Sequence, residues 1–307
     1  PEKLLSEAAG YEYLDKKNMG PLVRKRDRQS HKGTFGNCLI IAGSTGMTGA
    51  AAITANSAVR SGAGIVTLAV PETINNILEM KTTEAITSPL PDAGSGHLLT
   101  QAIPAIEKLL PGKSAVAIGP GIGRRQSTLT TVHSILETVS VPMVIDADAL
   151  NALAEDTSVL YRKKTETIVL TPHPGEMSRL LGSTVPDVEA IRISVAQEFS
   201  RRFGVYLVLK GARTIIASPD GRAAINSSGN PGMASGGMGD VLTGIIASLL
   251  GQGYSGWEAS CLGVFVHGLA GDMVAVEQGE IGMAATDLGS MLPYAFNRLL
   301  HLPYSGE

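Results

Sequence analysis

The sequence predicts an α/β fold: a mainly parallel central sheet with helices on both faces and a helical C-terminal part. Three observations carry this. Short, unbroken apolar runs recur, among them NCLIIA at 37–42, IVTLAV at 65–70, SAVAI at 114–118 and VYLVL at 205–209. Unbroken apolar strands are what a sheet covered on both faces requires. Nearly every run leads into a loop containing Gly, Asp or His and then a helical stretch, the alternation of a parallel sheet. From Asp240 onward the strand pattern stops, and helices are predicted near 240–250, 256–276 and 284–300.

Residues 1–27 are polar and charged, with weak helical periodicity around Leu4 to Leu14, and read as an N-terminal arm. The rest, 28–307, shows no linker or composition shift and reads as a single domain. The strand at 37–42 ends in GSTGMTGAA at 43–51, which opens a helix through about Arg60. Pro71 follows the strand at 65–70 and starts a helix, where its missing N–H costs nothing. A helix is predicted over 97–110, a strand at 114–118 and a Gly-rich turn, GlyProGlyIleGly, at 119–123. A helix over 126–139 leads to a strand at 142–145 and then AspAlaAspAlaLeuAsn at 146–151. The strand at 167–170 ends in ThrProHisProGlyGlu at 171–176, and one long helix is predicted over 187–202. After the strand at 205–209 come LysGlyAlaArgThr at 210–214 and a hairpin, 214–217 with 223–226, around ProAspGly at 219–221. Ligands of such sheets bind beyond the carboxyl ends of the strands, so these loops should converge on one cleft.

Composition narrows the function. A net charge of −3 gives no electrostatic case for nucleic acid, and the basic run at 24–28 reads as solvated surface. Cys38 and Cys261 lie in apolar segments as free thiols, which fits a reducing, cytoplasmic setting. No Cys/His spacing suggests zinc. No apolar run is read as approaching membrane-spanning length, and no signal pattern opens the chain, so no membrane partner is expected.

The chemistry concentrates in Asn226–Gly253, where the loop AlaSerGlyGlyMetGly at 234–239 opens an apolar helix at Asp240. Unpaired N–H groups at a helix N-terminus bind anions, and glycines let backbone approach a phosphate. A plain Gly-rich turn with a helix-starting Asp fits the same residues. No G-x-x-x-x-G-K-[ST] loop exists elsewhere, and Gly119–Gly123 falls one residue short of G-x-G-x-x-G. The phosphate loop therefore comes late, after the sheet.

A late G-G-x-G-D loop after an α/β sheet resembles the ribokinase-like superfamily. HisLysGlyThrPheGly (31–36), the loops at 42–50, 119–123, 146–151, 171–176 and 210–212, and AsnProGlyMetAlaSerGlyGlyMetGlyAspValLeu (230–242) follow one another in the order of one branch. Over roughly 28–300 the chain is similar to the ADP/ATP-dependent NAD(P)H-hydrate dehydratases. Many members carry an epimerase domain ahead of this one; these residues leave no room for it, and a start at Pro1 leaves a longer parent chain open.

The resemblance implies a repair lyase. Hydrated NADH or NADPH is phosphorylated on its ring hydroxyl by ADP or ATP with Mg²⁺, and phosphate then leaves. It implies Asp240 as catalytic base with Gly237 and Gly239 in the anion hole. Lys210, Gly211, Ala212, Arg213, Thr214, Asn230, Gly232, Gly236 and Gly239 would hold the nucleotide. Gly49, Ala50, Gly121, His173 and Asp240 would meet the hydrated cofactor, and Glu176 would act on Mg²⁺ through water. It also implies a homo-oligomer, often a tetramer. His173 stands where sugar kinases of the superfamily carry Asn, although a His there also serves as a helix cap. Asp146, Asp148 and Asn151 read either as helix capping or as a cluster near Mg²⁺ or substrate. His267, inside an apolar helix, reads as a core histidine. The alternatives are a kinase for a vitamin-precursor alcohol and a nucleotide-sensing protein without turnover.

Overall fold

The computed structural model describes residues 10–301. Among them, ten strands form one sheet: β1 Glu12–Leu14, β2 Asn37–Ile41, β3 Ile65–Pro71, β4 Ile86–Leu90, β5 Ala115–Ile118, β6 Met143–Ile145, β7 Ile168–Leu170, β8 Tyr206–Leu209, β9 Ile215–Ala217 and β10 Ala223–Asn226. Their order is β1-β10-β9-β8-β7-β6-β5-β2-β3-β4. Only β9 runs against its neighbours, as the expected hairpin requires. From β2 the chain builds outward through β3 to β4, returns to β5 on the other side of β2, and continues the opposite way. The carboxyl ends of β2 and β5 therefore flank a topological switch point, where such sheets open a crevice.

The strands feed two cores because successive side chains point to opposite faces. Cys38 and Ile40 of β2 join one cluster, and Leu39 and Ile41 join the other. The first cluster packs under the helices Thr48–Arg60, Glu72–Lys81, Met238–Gly251, Gly256–Gln278 and Ala285–Leu300. The second packs under Ile103–Leu109, Gln126–Thr138, Asp148–Glu155, Pro174–Leu181, Val185–Ala190 and Arg192–Phe203.

Several local expectations change, and the helix expected over 97–110 is only Ile103–Leu109, after a 3-10 turn at Thr100–Ala102. β4 was not predicted: ITSPL is short and holds Pro89, which a sheet tolerates on an edge strand such as this one. The arm supplies β1, whose Leu14 is fully buried and whose three residues pair with Ala224, Ile225 and Asn226. Three residues carry no readable periodicity. The single helix expected over 187–202 is two, Val185–Ala190 and Arg192–Phe203, separated at Ile191. Finally, Gly256–Gln278 is long and apolar enough to cross a bilayer by length and composition alone, against the expectation that no run approaches that size. It lies instead inside the fold, with 72% of its most apolar window buried.

The basic run at 24–28 is not simply solvated. Arg24 donates to the carbonyls of Gln252 and Gly253 (3.3 Å each) and stacks on the Tyr254 ring, 3.9 Å from its centre. Arg26 donates to the Gly62 carbonyl at 2.6 Å. Arg24 thus puts a cation at the carboxyl end of the helix Met238–Gly251, the pole that favours positive charge.

That helix is buried at every residue from Val241 to Gly251 and lies directly on Thr48–Arg60. At Gly244 the two backbones touch: a Cβ there would stand 2.4 Å from the Thr54 carbonyl oxygen and 2.9 Å from the Ala58 nitrogen. Backbone cannot yield as a side-chain tip can. Gly244→Ala is therefore expected to destabilise by roughly 1–3 kcal/mol, read as a lower urea midpoint at unchanged slope.

Candidate active site

Three strand ends and one helix N-terminus build this part of the site. β6 ends at Asp146, β7 at the loop 171–173, β8 at Lys210, and the helix Met238–Gly251 enters above them. Gly237, at φ +89°, turns the chain into that helix, and no side chain caps it. The first amides of a helix have no partner within it, so those of Met238, Gly239 and Asp240 face the site as donors. A Cβ on Gly236 would meet open space.

Beneath this turn lies a buried charge pair. The Lys210 ammonium donates to Asp146 Oδ1 at 2.9 Å and lies 3.7 Å from Glu176 Oε2. Thr243, one turn beyond Asp240, donates its hydroxyl to Asp146 Oδ2 at 2.7 Å. A Cβ on Gly239 would sit 3.4 Å from Lys210 Nζ and 3.7 Å from Asp146 Oδ2, so the pair is the floor under the glycine turn. Burial alone would raise the Asp146 pKa, but the Lys210 charge and the hydrogen bonds from Lys210 and Thr243 outweigh it and hold the carboxyl below its usual range. Lys210 loses from burial and gains more from Asp146 and Glu176, so it stays cationic well into alkaline pH.

Asp240 has no such compensation. Burial first, then the Asp146 charge and a smaller push from Asp148, raise its pKa to about 7, against the opposing pull of Lys210. A carboxyl poised there can take up a proton at neutral pH, which is what a general base needs.

On the side expected to meet substrate, the loops at 43–47 and 119–123 are joined. Gly43 N donates to the Pro120 carbonyl at 2.8 Å, and Ser44 Oγ to that of Gly121 at 2.7 Å. Gly121 has φ +64°, and a Cβ on it would stand 2.9 Å from Met47 Cβ and 3.1 Å from Ala50 Cβ. Ala50 and Gly121 are thus neighbours at the switch point, and a Cβ on Gly49 would meet open space. Asp148 does not cap its own helix. Its carboxylate accepts from Gly123 N (2.9 Å) and Arg124 Nε (3.2 Å), tying this loop to the β6 end. Between the two acids, Ala147 is held at φ +50°, a conformation that side chains disfavour. Asn151 accepts from Arg179 Nε at 2.8 Å.

His173 caps the helix Pro174–Leu181. Its Nδ1 accepts from Gly175 N (3.0 Å) and Glu176 N (3.3 Å), while Glu176 accepts from His173 N at 2.8 Å. Burial and the nearby Lys210 and Arg179 lower its pKa, against the pull of Glu176, so the ring is neutral. Nδ1 is committed to the cap, and half of the side chain stays exposed. His267 lies on the long core helix as expected, yet its Nε2 meets the Met238 carbonyl at 2.9 Å, and burial brings its pKa down to about 4.

The residues expected on the nucleotide side share the same edge but bind one another. Arg213 (φ +59°) donates to the Tyr13 hydroxyl and the Ser227 carbonyl, both at 3.2 Å. Arg192 donates to the carbonyls of Ala212 (2.8 Å) and Lys210 (3.3 Å), and Thr214 Oγ1 to that of Gly211 (3.0 Å). Asn230 caps its turn through Gly232 N (3.0 Å) and donates to Asp272 (3.0 Å), so its side chain shapes the loop. A Cβ on Gly232 would meet the Glu280 carbonyl oxygen at 2.8 Å.

Comparison with known proteins decides the family. The sequence model described as NAD(P)H-hydrate dehydratase matches residues 38–294. The chain belongs to the NAD(P)H-hydrate dehydratase family. It is 48% identical over 275 residues to the bifunctional NAD(P)H-hydrate repair enzyme Nnr of Moorella thermoacetica, covering 90% of this chain and 52% of that protein. It thus spans about half the length of the bifunctional relatives. It is 36% identical to the ADP-dependent (S)-NAD(P)H-hydrate dehydratase of Neisseria meningitidis, covering 91% of this chain and 90% of that one. Among solved structures it is similar to the Bacillus subtilis ADP/ATP-dependent NAD(P)H-hydrate dehydratase co-crystallised with ATP/Mg²⁺. That match has a TM-score of 0.84 at 30% identity and covers 95% and 99% of the two chains. The fold is ribokinase-like.

Thr243 is the participant that sequence reasoning missed. The signal was present: its position three residues after Asp240 puts both on one helix face. Asp146 was recognised only as part of a polar cluster.

The raised Asp240 pKa has a stability consequence. A carboxyl shifted upward on folding imposes no cost while both states are protonated, a growing cost as pH rises past about 4, and the full cost above about 7. Each unit is worth about 1.4 kcal/mol. Asp240→Asn should therefore melt higher than the native protein at about pH 8, with the difference vanishing below about pH 4. Equal melting at pH 8 would contradict a destabilised carboxylate.

Proposed function

We propose that the chain catalyses nucleotide-dependent dehydration of the (S)-hydrates of NADH and NADPH, restoring the reduced cofactors. The observation that carries this reading is Asp240. It is a carboxyl poised near neutrality, held at an uncapped helix N-terminus beside the Asp146–Lys210 ion pair. In this mechanism Asp240 takes the proton of the substrate's ring hydroxyl as its oxygen attacks the terminal phosphoryl of ADP or ATP, whose bridging P–O bond breaks to release AMP or ADP. The amides of the Gly237–Gly239 turn and the Lys210 ammonium meet the charge on the transferred group, and their fixed geometry contributes most of the rate. The phosphorylated ring then loses inorganic phosphate, which departs with the C–O bonding pair, and a ring proton, which restores the double bond. Phosphate is the better leaving group, which is why a nucleotide is consumed.

Ala50, Gly121 and His173 support a substrate position at the switch point, and the backbone of 210–214 and 230–236 a nucleotide position beside it. The donor set fits Mg²⁺ of the kind held mainly by phosphates and water. Three carboxylates, Asp146, Glu176 and Asp240, act on Lys210, and among the described residues no group of three or more acids, histidines or cysteines is arranged as a cage. Glu176 is the acid that would reach such an ion through water. When bound, the ion would neutralise phosphate charge. Homo-oligomeric assembly and action in the cytoplasm belong to the same reading.

Hydrated NADH or NADPH with Mg²⁺ and either ADP or ATP should regain reduced-nicotinamide absorbance, with one inorganic phosphate released per turnover. Accumulation of a stable phosphorylated alcohol would assign the chain to the kinases instead. Asp240→Asn should remove turnover by roughly 10²–10⁴-fold while nucleotide still binds by calorimetry. Gly239→Val should drive a branched side chain toward Lys210 and Asp146 and lower kcat more than it raises KM.

A further inference from the structure

Asp146 is the most completely enclosed charge of the site, 1% exposed, and it joins the β8 loop to the helix Met238–Gly251. One oxygen accepts from Lys210 of the β8 loop and the other from Thr243 of the catalytic helix. Its Oδ2 also lies under Gly239 of the glycine turn, 3.7 Å from where a Cβ there would stand, just beyond Lys210 Nζ at 3.4 Å. A charge this deep is sustained only if every partner is in place.

We infer that Asp146 is a positioning residue for the reaction: it holds the Lys210 ammonium beneath the Gly239 backbone and, through Thr243, fixes the first helical turn so that Asp240 faces the reacting hydroxyl. The inference rests on the reading of Asp240 as the base. The charged groups that act on Asp240 are Asp146 and Lys210 below it and Asp148 beside it; His267, behind Met238, is neutral. Neutralising Asp146 therefore leaves the lysine unbalanced and makes Asp240 a weaker base. A residue that only filled space would not do this.

The test is the pH dependence of kcat/KM for hydrate dehydration by the native chain, Asp146→Asn and Thr243→Val, with Asp240→Asn as reference. Asp146→Asn should lose roughly tenfold or more in kcat, and its acid limb should move to lower pH by about one unit. A folded Asp146→Asn protein whose limb stays at the native pH overturns the inference. If that variant does not fold, Thr243→Val decides: it keeps every charge, so kcat should fall at least about fivefold with its limb unmoved, and native kcat overturns the inference. Turnover by Asp240→Asn would instead sink the base assignment itself.

Discussion

A helix buried from Val241 to Gly251 still has to leave its first amides without helical partners, and here no side chain caps them. That constraint organises the molecule. Covering the helix takes Thr48–Arg60, Gly256–Gln278 and Ala285–Leu300, and contact with the first is close enough to demand glycine at 244. The far pole is closed by Arg24 on the terminal carbonyls. The open pole, carrying about half a positive charge, is left for an anion. Stability and reactivity thus belong to the two ends of one element.

The charges below that pole follow different rules. Asp146 and Lys210 compensate each other's desolvation and share further hydrogen bonds, so both remain ionised. Asp240 stands just outside this exchange: burial first, and then the repulsion of Asp146, raise its pKa, with only partial relief from Lys210. Two carboxyls close together are thereby given opposite tasks, one permanently charged and one able to accept a proton.

The sheet supplies the meeting point. The reversal of strand order between β2 and β5 opens the crevice where Gly121 and Ala50 meet, and Asp148 binds its rim to the β6 end. The loops after β8 and β10 spend their side chains on each other. In the proposed reading, what they would offer a nucleotide is mostly shaped backbone and the Lys210 charge.

Most of the parallel sheet was legible because buried strands must be continuously apolar, and β2, β3, β5 and β8 are. The glycine turn before Asp240 was legible as an anion site only together with the absence of an earlier phosphate loop and the family resemblance, since a plain turn fits the same residues. The short edge strands β1 and β4 were not, since a three-residue strand has no period and Pro89 reads as a breaker. At the site, the sequence alone determined the residue types and the order of the loops. Only the tertiary structure decided which acid is buried and paired, that His173 and Asn230 act as caps, and that Thr243 reaches Asp146. Those outcomes depend on burial and on contacts across long stretches of chain, such as the 64 residues between Asp146 and Lys210, and no local pattern encodes either.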